Sequence, residues 1–233
     1  RQRSHPGSGR RAGVTPAVAN ARSLLDWDHN AYYQGLLLQH LPPRCRRVLD
    51  VGCGAGGFAV QLAQRSDRVD AVDRSAVMIT EARRRTPTNV NCVQADVLTD
   101  GLPATGYDAI VSISALHHMP LDTVLPQLAG ALRPGGVLAA IALPRTDLRR
   151  EWPQELAAAL AHRALGVRFR AERLLKTGTG FAKTPDHDAM PVVLDPPLTT
   201  REVAAQTAEL LPGAHVRRLL FWRYLLLWQK PAA

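Results

Sequence analysis

The chain has 233 residues, a formal net charge of +9 and a hydrophobic share of 46%, enough for one domain with a sizeable core. Three cysteines without CxxC spacing exclude a disulfide framework and a cysteine-built zinc site, and no apolar run reaches the roughly 18 residues that a membrane span needs. The positive charge is mostly arginine spread along the chain, which suits a solvated surface better than a dedicated nucleic-acid face.

Residues 1–20 have few large apolar side chains and many breakers, so 1–22 is predicted to be a mobile basic tail, with the main domain over 23–233. This basic, glycine-rich start lacks the apolar centre of a signal peptide, and a cytoplasmic location is expected. "SLLDWDHNAYYQGLLLQHL" has helical spacing, with Asp26 or Asp28 as cap and Pro42-Pro43 as stop. Then strands and helices alternate. "RRVLDVG" is a buried strand, "GGFAVQLAQR" a helix, "RVDAVDRS" a strand and "SAVMITEARRR" a helix. "NVNCVQADV" and "YDAIVSIS" are strands, "TVLPQLAGALRPGG" is a helix ending at Gly135-Gly136, and "VLAAIALP" is the fifth strand. This rhythm predicts an α/β fold, a doubly wound Rossmann-like sheet of mainly parallel strands.

After Pro144 the rhythm breaks. Residues 145–198 hold a helix, "EWPQELAAALAHRAL", and then a glycine- and proline-rich stretch, too long for a simple connection and predicted to be a lid. "TTREVAAQTAELL" is a helix with Thr199 or Thr200 as cap and Glu202 close behind. "AHVRRLLFWRYLLLWQK" reads as an antiparallel hairpin turning at about Phe221–Arg223.

The glycines of "LDVGCGAGGF" pose the functional question. Gly52, Gly54 and Gly56 spell GxGxG, while Gly52, Gly54 and Gly57 spell the dinucleotide pattern GxGxxG, with Gly57 expected to serve helix packing. Asp73, ending the second strand, suits a ribose hydroxyl in either case. Three features favour S-adenosylmethionine (SAM). Asp50, two residues before Gly52, would repel a pyrophosphate but suits an ammonium and a sulfonium, although it can also simply brace the turn. Asp96 in "QAD" can accept from an adenine amino group, with the Val97 N–H on a ring nitrogen. Five parallel strands followed by an antiparallel pair are unlike a dehydrogenase.

The stretch from about Asp26 to Pro231 resembles the class I SAM-dependent methyltransferases, especially their small-molecule type 11 group, through "VLDVGCGAG", "VDAVDRS", "VQADV", "YDAIVSISALHHM" and "LRPGGVL". The resemblance implies SAM as cofactor and S-adenosylhomocysteine (SAH) as product. It implies Gly52, Cys53 and Gly54 in the loop, Asp73 on the ribose with Arg74 beside it, and Asp96 and Val97 on adenine. Ser112 and Ile113 fall below the methionine part. Asn30 and Tyr33 fall in a helix that covers the cofactor, with Tyr33 equally readable as a core aromatic.

Methyl transfer is an in-line displacement that gains much of its rate from alignment and dryness. A base is needed only when the acceptor carries a proton. His117, after the fourth strand, is the candidate base, with His118 structural and His29 and His187 lesser candidates. "DPPL" at 195–198 looks like the base-stacking motif of DNA amino-methyltransferases, but it lacks the aromatic and lies before a late helix, so it reads as a helix entry. Arg145, Arg149, Arg150, Arg168, Arg170, Arg173, Lys176 and Lys183 make the lid basic, which suits a solvated face or a carboxylate-bearing acceptor. The expectation is a small-molecule methyltransferase, monomer or homodimer, with no metal and no membrane contact. The alternatives are a SAM-binding protein without methyl transfer or dependent on a partner, a nucleic-acid methyltransferase, and a nicotinamide dehydrogenase.

Overall fold

The computed structural model describes residues 25–178, 181 and 196–232. Seven strands form one sheet in the order β3-β2-β1-β4-β5-β7-β6. They are β1 (Cys45–Val51), β2 (Ser66–Asp73), β3 (Val90–Gln94), β4 (Tyr107–Ile113), β5 (Leu132–Ala142), β6 (His215–Leu219) and β7 (Arg223–Gln229). β1 to β5 pair in parallel, and β7 runs antiparallel between β5 and β6, as the hairpin reading requires. The strand order changes direction between the parallel neighbours β1 and β4, so the carboxyl ends of these two strands flank the crevice where open α/β sheets place ligands.

Six helices cover the two faces among the described residues: α1 (His29–His40), α2 (Gly57–Ala63), α3 (Ala76–Arg85), α4 (Leu121–Ala131), α5 (Leu148–Leu174) and α6 (Thr200–Leu210). Strand residues alternate between two cores. Val48, Ala71, Val111, Ile141 and Leu225 join α1, α2, α3 and α5. Leu49, Val72, Ile110, Leu138 and Tyr224 join α4 and α6. The caps are as local chemistry demands. Asp28 accepts from the Asn30 and Ala31 amides, and Ser75 from the Met78 amide. Thr199 and Glu202 form a reciprocal capping box.

α1 starts at His29 with Asp28, one of the two expected caps, as its N-cap. Two expectations change. α4 ends at Ala131, not at Gly136. Pro134 has no N–H with which to continue a helix, Gly135 turns with φ +73°, and the segment instead opens β5 with a shift in its pairing to β4. α5 is longer than expected, at 27 residues. Its inner face carries Ala158, Gly166 and Phe169, while Leu148, Trp152, Leu156 and Leu160 are exposed on another face. Gly166 allows the close crossing over the N-terminal segment: a Cβ there would lie 2.4 Å from the Leu25 carbonyl oxygen. Trp27 is fully buried beneath it against Phe169 and Phe221. The basic tail, most of the lid beyond Gly178, including His187 and Lys183, and Asp195 of "DPPL" lie outside the described residues.

Candidate active site

β1 runs into the glycine turn at the carboxyl edge. Gly52, Gly54 and Gly56 all have positive φ, +72°, +53° and +80°, where a side chain would be strained. A Cβ on Gly52 would also stand 2.2 Å from that of Ala115, so the turn and the segment after β4 touch backbone to side chain. The Gly52 and Cys53 amides donate to the Val72 carbonyl at 2.8 and 3.0 Å. Asp73 accepts from the Gly54 amide at 2.9 Å and from the Ser75 amide at 2.8 Å, one on each oxygen. This carboxylate therefore fastens the turn to the start of α3 and keeps lone pairs for a further donor. The packing glycine is Gly56, not Gly57. A Cβ on Gly56 would lie 2.8 Å from Thr86 Cγ2 and 3.1 Å from Ala82 Cβ, whereas one on Gly57 meets nothing within 4 Å.

Asp50 lies beneath this turn, 2% exposed, on the face it shares with Val48. Its Oδ2 has no hydrogen-bond partner among the described residues. Burial first, and then the charge of Asp73, pushes its pKa up to about 7. A cation arriving at the turn would relieve both penalties. Cys53 is buried in the turn, with its thiol donating to the Gly54 carbonyl. Burial, Asp50 and Asp73 all raise its pKa, so it stays a thiol and is no nucleophile.

Next to the turn, Asn30 in the first turn of α1 gathers three donors on its Oδ1: Ser114 Oγ at 2.7 Å, Arg223 Nη2 at 2.9 Å and Arg223 Nε at 3.3 Å. Ser114 follows β4 directly and has φ +55°. Arg223 opens β7 and also donates to the Phe221 carbonyl at 3.2 Å. Burial lowers its pKa to about 10.

A model described as a methyltransferase domain matches residues 48–136. A protein of Mycobacterium tuberculosis described as an uncharacterized methyltransferase is 35% identical over 213 residues, covering 88% of this chain and 98% of its own. The chain belongs to the class I SAM-dependent methyltransferases. The fold agrees. The N-methyltransferase NodS of Bradyrhizobium japonicum, solved with SAH, superposes with a TM-score of 0.57 at 16% identity, covering 89% of this chain and 90% of its own. The DhpI–SAH complex gives 0.58 at 20%, covering 87% and 84%. A nicotinamide dehydrogenase is thereby removed.

The methyltransferase's other expected site residues fall into two groups. Asp96 is half-buried after β3, where its Oδ1 accepts from the Leu98 amide at 3.0 Å, and Val97 is packed in the core with Leu49 and Val72. Ile113 is half-buried at the end of β4, and Arg74 is exposed beside Asp73. Arg74, Asp96 and Ile113 thus stand at the carboxyl ends of β2, β3 and β4. Ser112 and Tyr33 turn inward. Ser112 is fully buried and donates to the Val51 carbonyl at 2.9 Å, tying β4 to the glycine turn. Tyr33 is 6% exposed in the core, with its hydroxyl accepting from the Phe221 amide at 3.1 Å. It is a brace between α1 and the closing hairpin rather than an open cover.

His117 does not suit the part of a base. It is 9% exposed and lines a small apolar pocket on the α6 side with Leu116, Met119, Leu143 and Leu198. Its Nδ1 accepts a long contact from the Leu143 amide, at 3.5 Å. Burial, His118 and Arg223 push its pKa down to about 3, far from the neutral range in which a proton acceptor works best. Arg145 is held by both oxygens of Glu202 at 3.1 Å, and Arg168 by Glu172 at 2.9 Å. Sequence reading missed Arg223 and Ser114. The available signal was the hairpin itself, since the residue just after its turn must return to the carboxyl edge of β5.

Proposed function

We propose that this protein transfers a methyl group from SAM to a small-molecule acceptor. The observation that carries the reading is the buried, unpartnered Asp50 oxygen beneath a turn that only glycines can form. A carboxylate so placed favours a ligand with an ammonium and a sulfonium. Asp73 would take the ribose hydroxyls, Asp96 with the Val97 N–H the adenine, and the Gly52–Gly54 turn the amino-acid end, with Ile113 beneath it. When bound, SAM supplies an electrophilic methyl carbon on a sulfonium that leaves as the neutral thioether of SAH.

The chain's own residues provide position and dryness. α1 covers the crevice, α5 seals α1 with the Trp27 cluster, and Asn30 fixes the residues at the edge. Effective alignment of this kind can replace acid–base help. His117, held neutral in an apolar pocket, favours an acceptor atom that is ionised or unprotonated at neutral pH. Relatives that match about half of this chain support a small acceptor. They are described as trans-aconitate 2-methyltransferase in Azoarcus, malonyl-[acyl-carrier protein] O-methyltransferase in Enterobacter lignolyticus and fatty-acid O-methyltransferase in Mycolicibacterium smegmatis.

Calorimetry with SAH, followed by turnover of labelled SAM on a panel of carboxylates, amines and alcohols, tests the reading. SAH binding and methyl transfer to one member are expected. SAH binding with no turnover on any of them would leave a SAM-binding protein instead.

A further inference from the structure

We infer that Arg223 is the anchor for a carboxylate on the methyl acceptor, held in position by Asn30 and Ser114. This rests on the methyltransferase reading and names the chemistry of its acceptor.

A guanidinium withdrawn from water normally keeps an anionic partner. Three other half-buried arginines among the described residues do so. Arg47 holds Asp70 at 2.7 Å, Arg133, its head partly in solvent, holds Asp108, and Arg218 holds Glu155 at 2.6 Å and Glu151 at 3.6 Å. Arg223 is the exception. Its hydrogen bonds go to two neutral oxygens, Asn30 Oδ1 and the Phe221 carbonyl, and no carboxylate lies within ion-pair distance among the described residues. Each of its three nitrogens makes one bond to these oxygens, so two of its five N–H donors remain for a ligand. The charged and titratable groups that act on it are Tyr33 and Asp28 from the α1 side. Both are engaged, Tyr33 by the Phe221 amide and Asp28 by capping α1. His117 feels its charge from the other side.

The position is right for an acceptor. Tyr224 pairs with Ala142, the last residue of β5, so Arg223 stands at the carboxyl edge. By alternation it faces α1, like Leu225, and not the α4–α6 core. Asn30 joins it to Ser114, one residue from Ala115, which packs on Gly52 of the turn. A carboxylate gripped here would lie beside the cofactor turn. It would also need no base, being ionised at neutral pH.

The test uses the full chain saturated with SAH and three probes, trans-aconitate, malonate and tetradecanoate, each beside its methyl ester. The wild-type complex is expected to bind at least one acid and to bind its ester more weakly. Arg223→Gln should weaken that acid by about ten-fold or more, the size of one charge-assisted contact, and Arg223→Lys by less. SAH affinity should change less than about three-fold in either variant. Asn30→Asp, which places a competing carboxylate against Arg223 without removing it, should weaken the acid to a similar degree and serves if the Arg223 variants fold poorly.

Unchanged acid binding in the variants overturns the inference. So does a loss of SAH affinity in Arg223→Gln, because the carboxylate held would then be that of the cofactor. A wild-type complex that binds SAH but none of the acids overturns this inference alone, whereas failure to bind SAH at all overturns the methyltransferase reading beneath it.

Discussion

Asp50 and Asp70 are both buried carboxylates on adjacent central strands, and they differ in their hydrogen-bond partners. Asp70, fully buried, receives Arg47 Nε at 2.7 Å, Asn91 Nδ2 at 2.9 Å and the Tyr107 hydroxyl at 3.0 Å. Burial alone would raise its pKa, but these bonds outweigh it and hold the carboxyl below its ordinary value. Asp108, at the amino end of β4, is likewise held by the Arg46 and Arg47 amides and by Arg133. At the carboxyl edge Asp50 has an orphan oxygen, and Arg223 has only neutral partners. Charge in the first region is matched inside the fold, and its value is stability. In the second region no ion pair matches it among the described residues.

The largest effect should come from breaking the matched side. Asp70→Ala strands Arg47, Asn91 and the Tyr107 hydroxyl and is expected to cost about 3–5 kcal/mol in urea unfolding, with SAH binding intact in the folded fraction.

Asp50→Asn should do the reverse. The folded protein holds the Asp50 proton up to about pH 7, while an unfolded chain releases it near pH 4. Its contribution thus favours folding at low pH and is lost as pH rises through 7. In ligand-free protein at pH 8, Asp50→Asn is expected to add on the order of 1–3 kcal/mol, read by thermal melting, and to weaken SAH about ten-fold or more. Wild-type SAH affinity should rise as pH rises through about 7, since the ammonium at the amino-acid end of SAH favours the ionised carboxylate, and in Asp50→Asn this rise should vanish.

A smaller effect separates His117 from both. Its folded pKa of about 3 lies below the ordinary histidine value, so its contribution to stability is complete above roughly pH 6.5 and fades as pH falls toward 3. His117→Gln should remove up to about 1.4 kcal/mol per pH unit of that acid sensitivity in melts between pH 4 and 6. It should leave no change in the pH dependence of turnover near neutrality, and a lost ionisation there would restore His117 as a base. The smallest expected effect is at Gly57. With open space around it, Gly57→Ala should stabilise by roughly 0.5–1 kcal/mol and leave SAH affinity unchanged.

Much of the fold was legible in the sequence because its signals are local. The glycine turn, the acid ending β2, the Thr199–Glu202 box and the closing hairpin are each read within a short stretch. What was missed depends on dihedrals or on distance. GxGxxG counts positions and cannot tell that Gly56 carries the positive φ and the contact with α3, while Gly57 carries neither. α5 was read too short because its two apolar faces blur a single helical period. Tyr33 was placed on the correct helix, but its inward turn depends on the Phe221 amide, which is 188 positions away. Arg223 and Asn30 are 193 positions apart, and only the order of the strands brings them together.

That separation imposes a schedule on the nascent chain. β7 inserts between β5 and β6, so the strand carrying Arg223 joins the sheet only after all the others have been synthesised. The five parallel strands and the glycine turn leave the ribosome long before it, at about 5–20 residues per second. α1 is made before the sheet, yet Asn30 waits for 193 further positions before its guanidinium arrives. The contact between Asn30 and Arg223 therefore forms late, once both ends of the described fold are made.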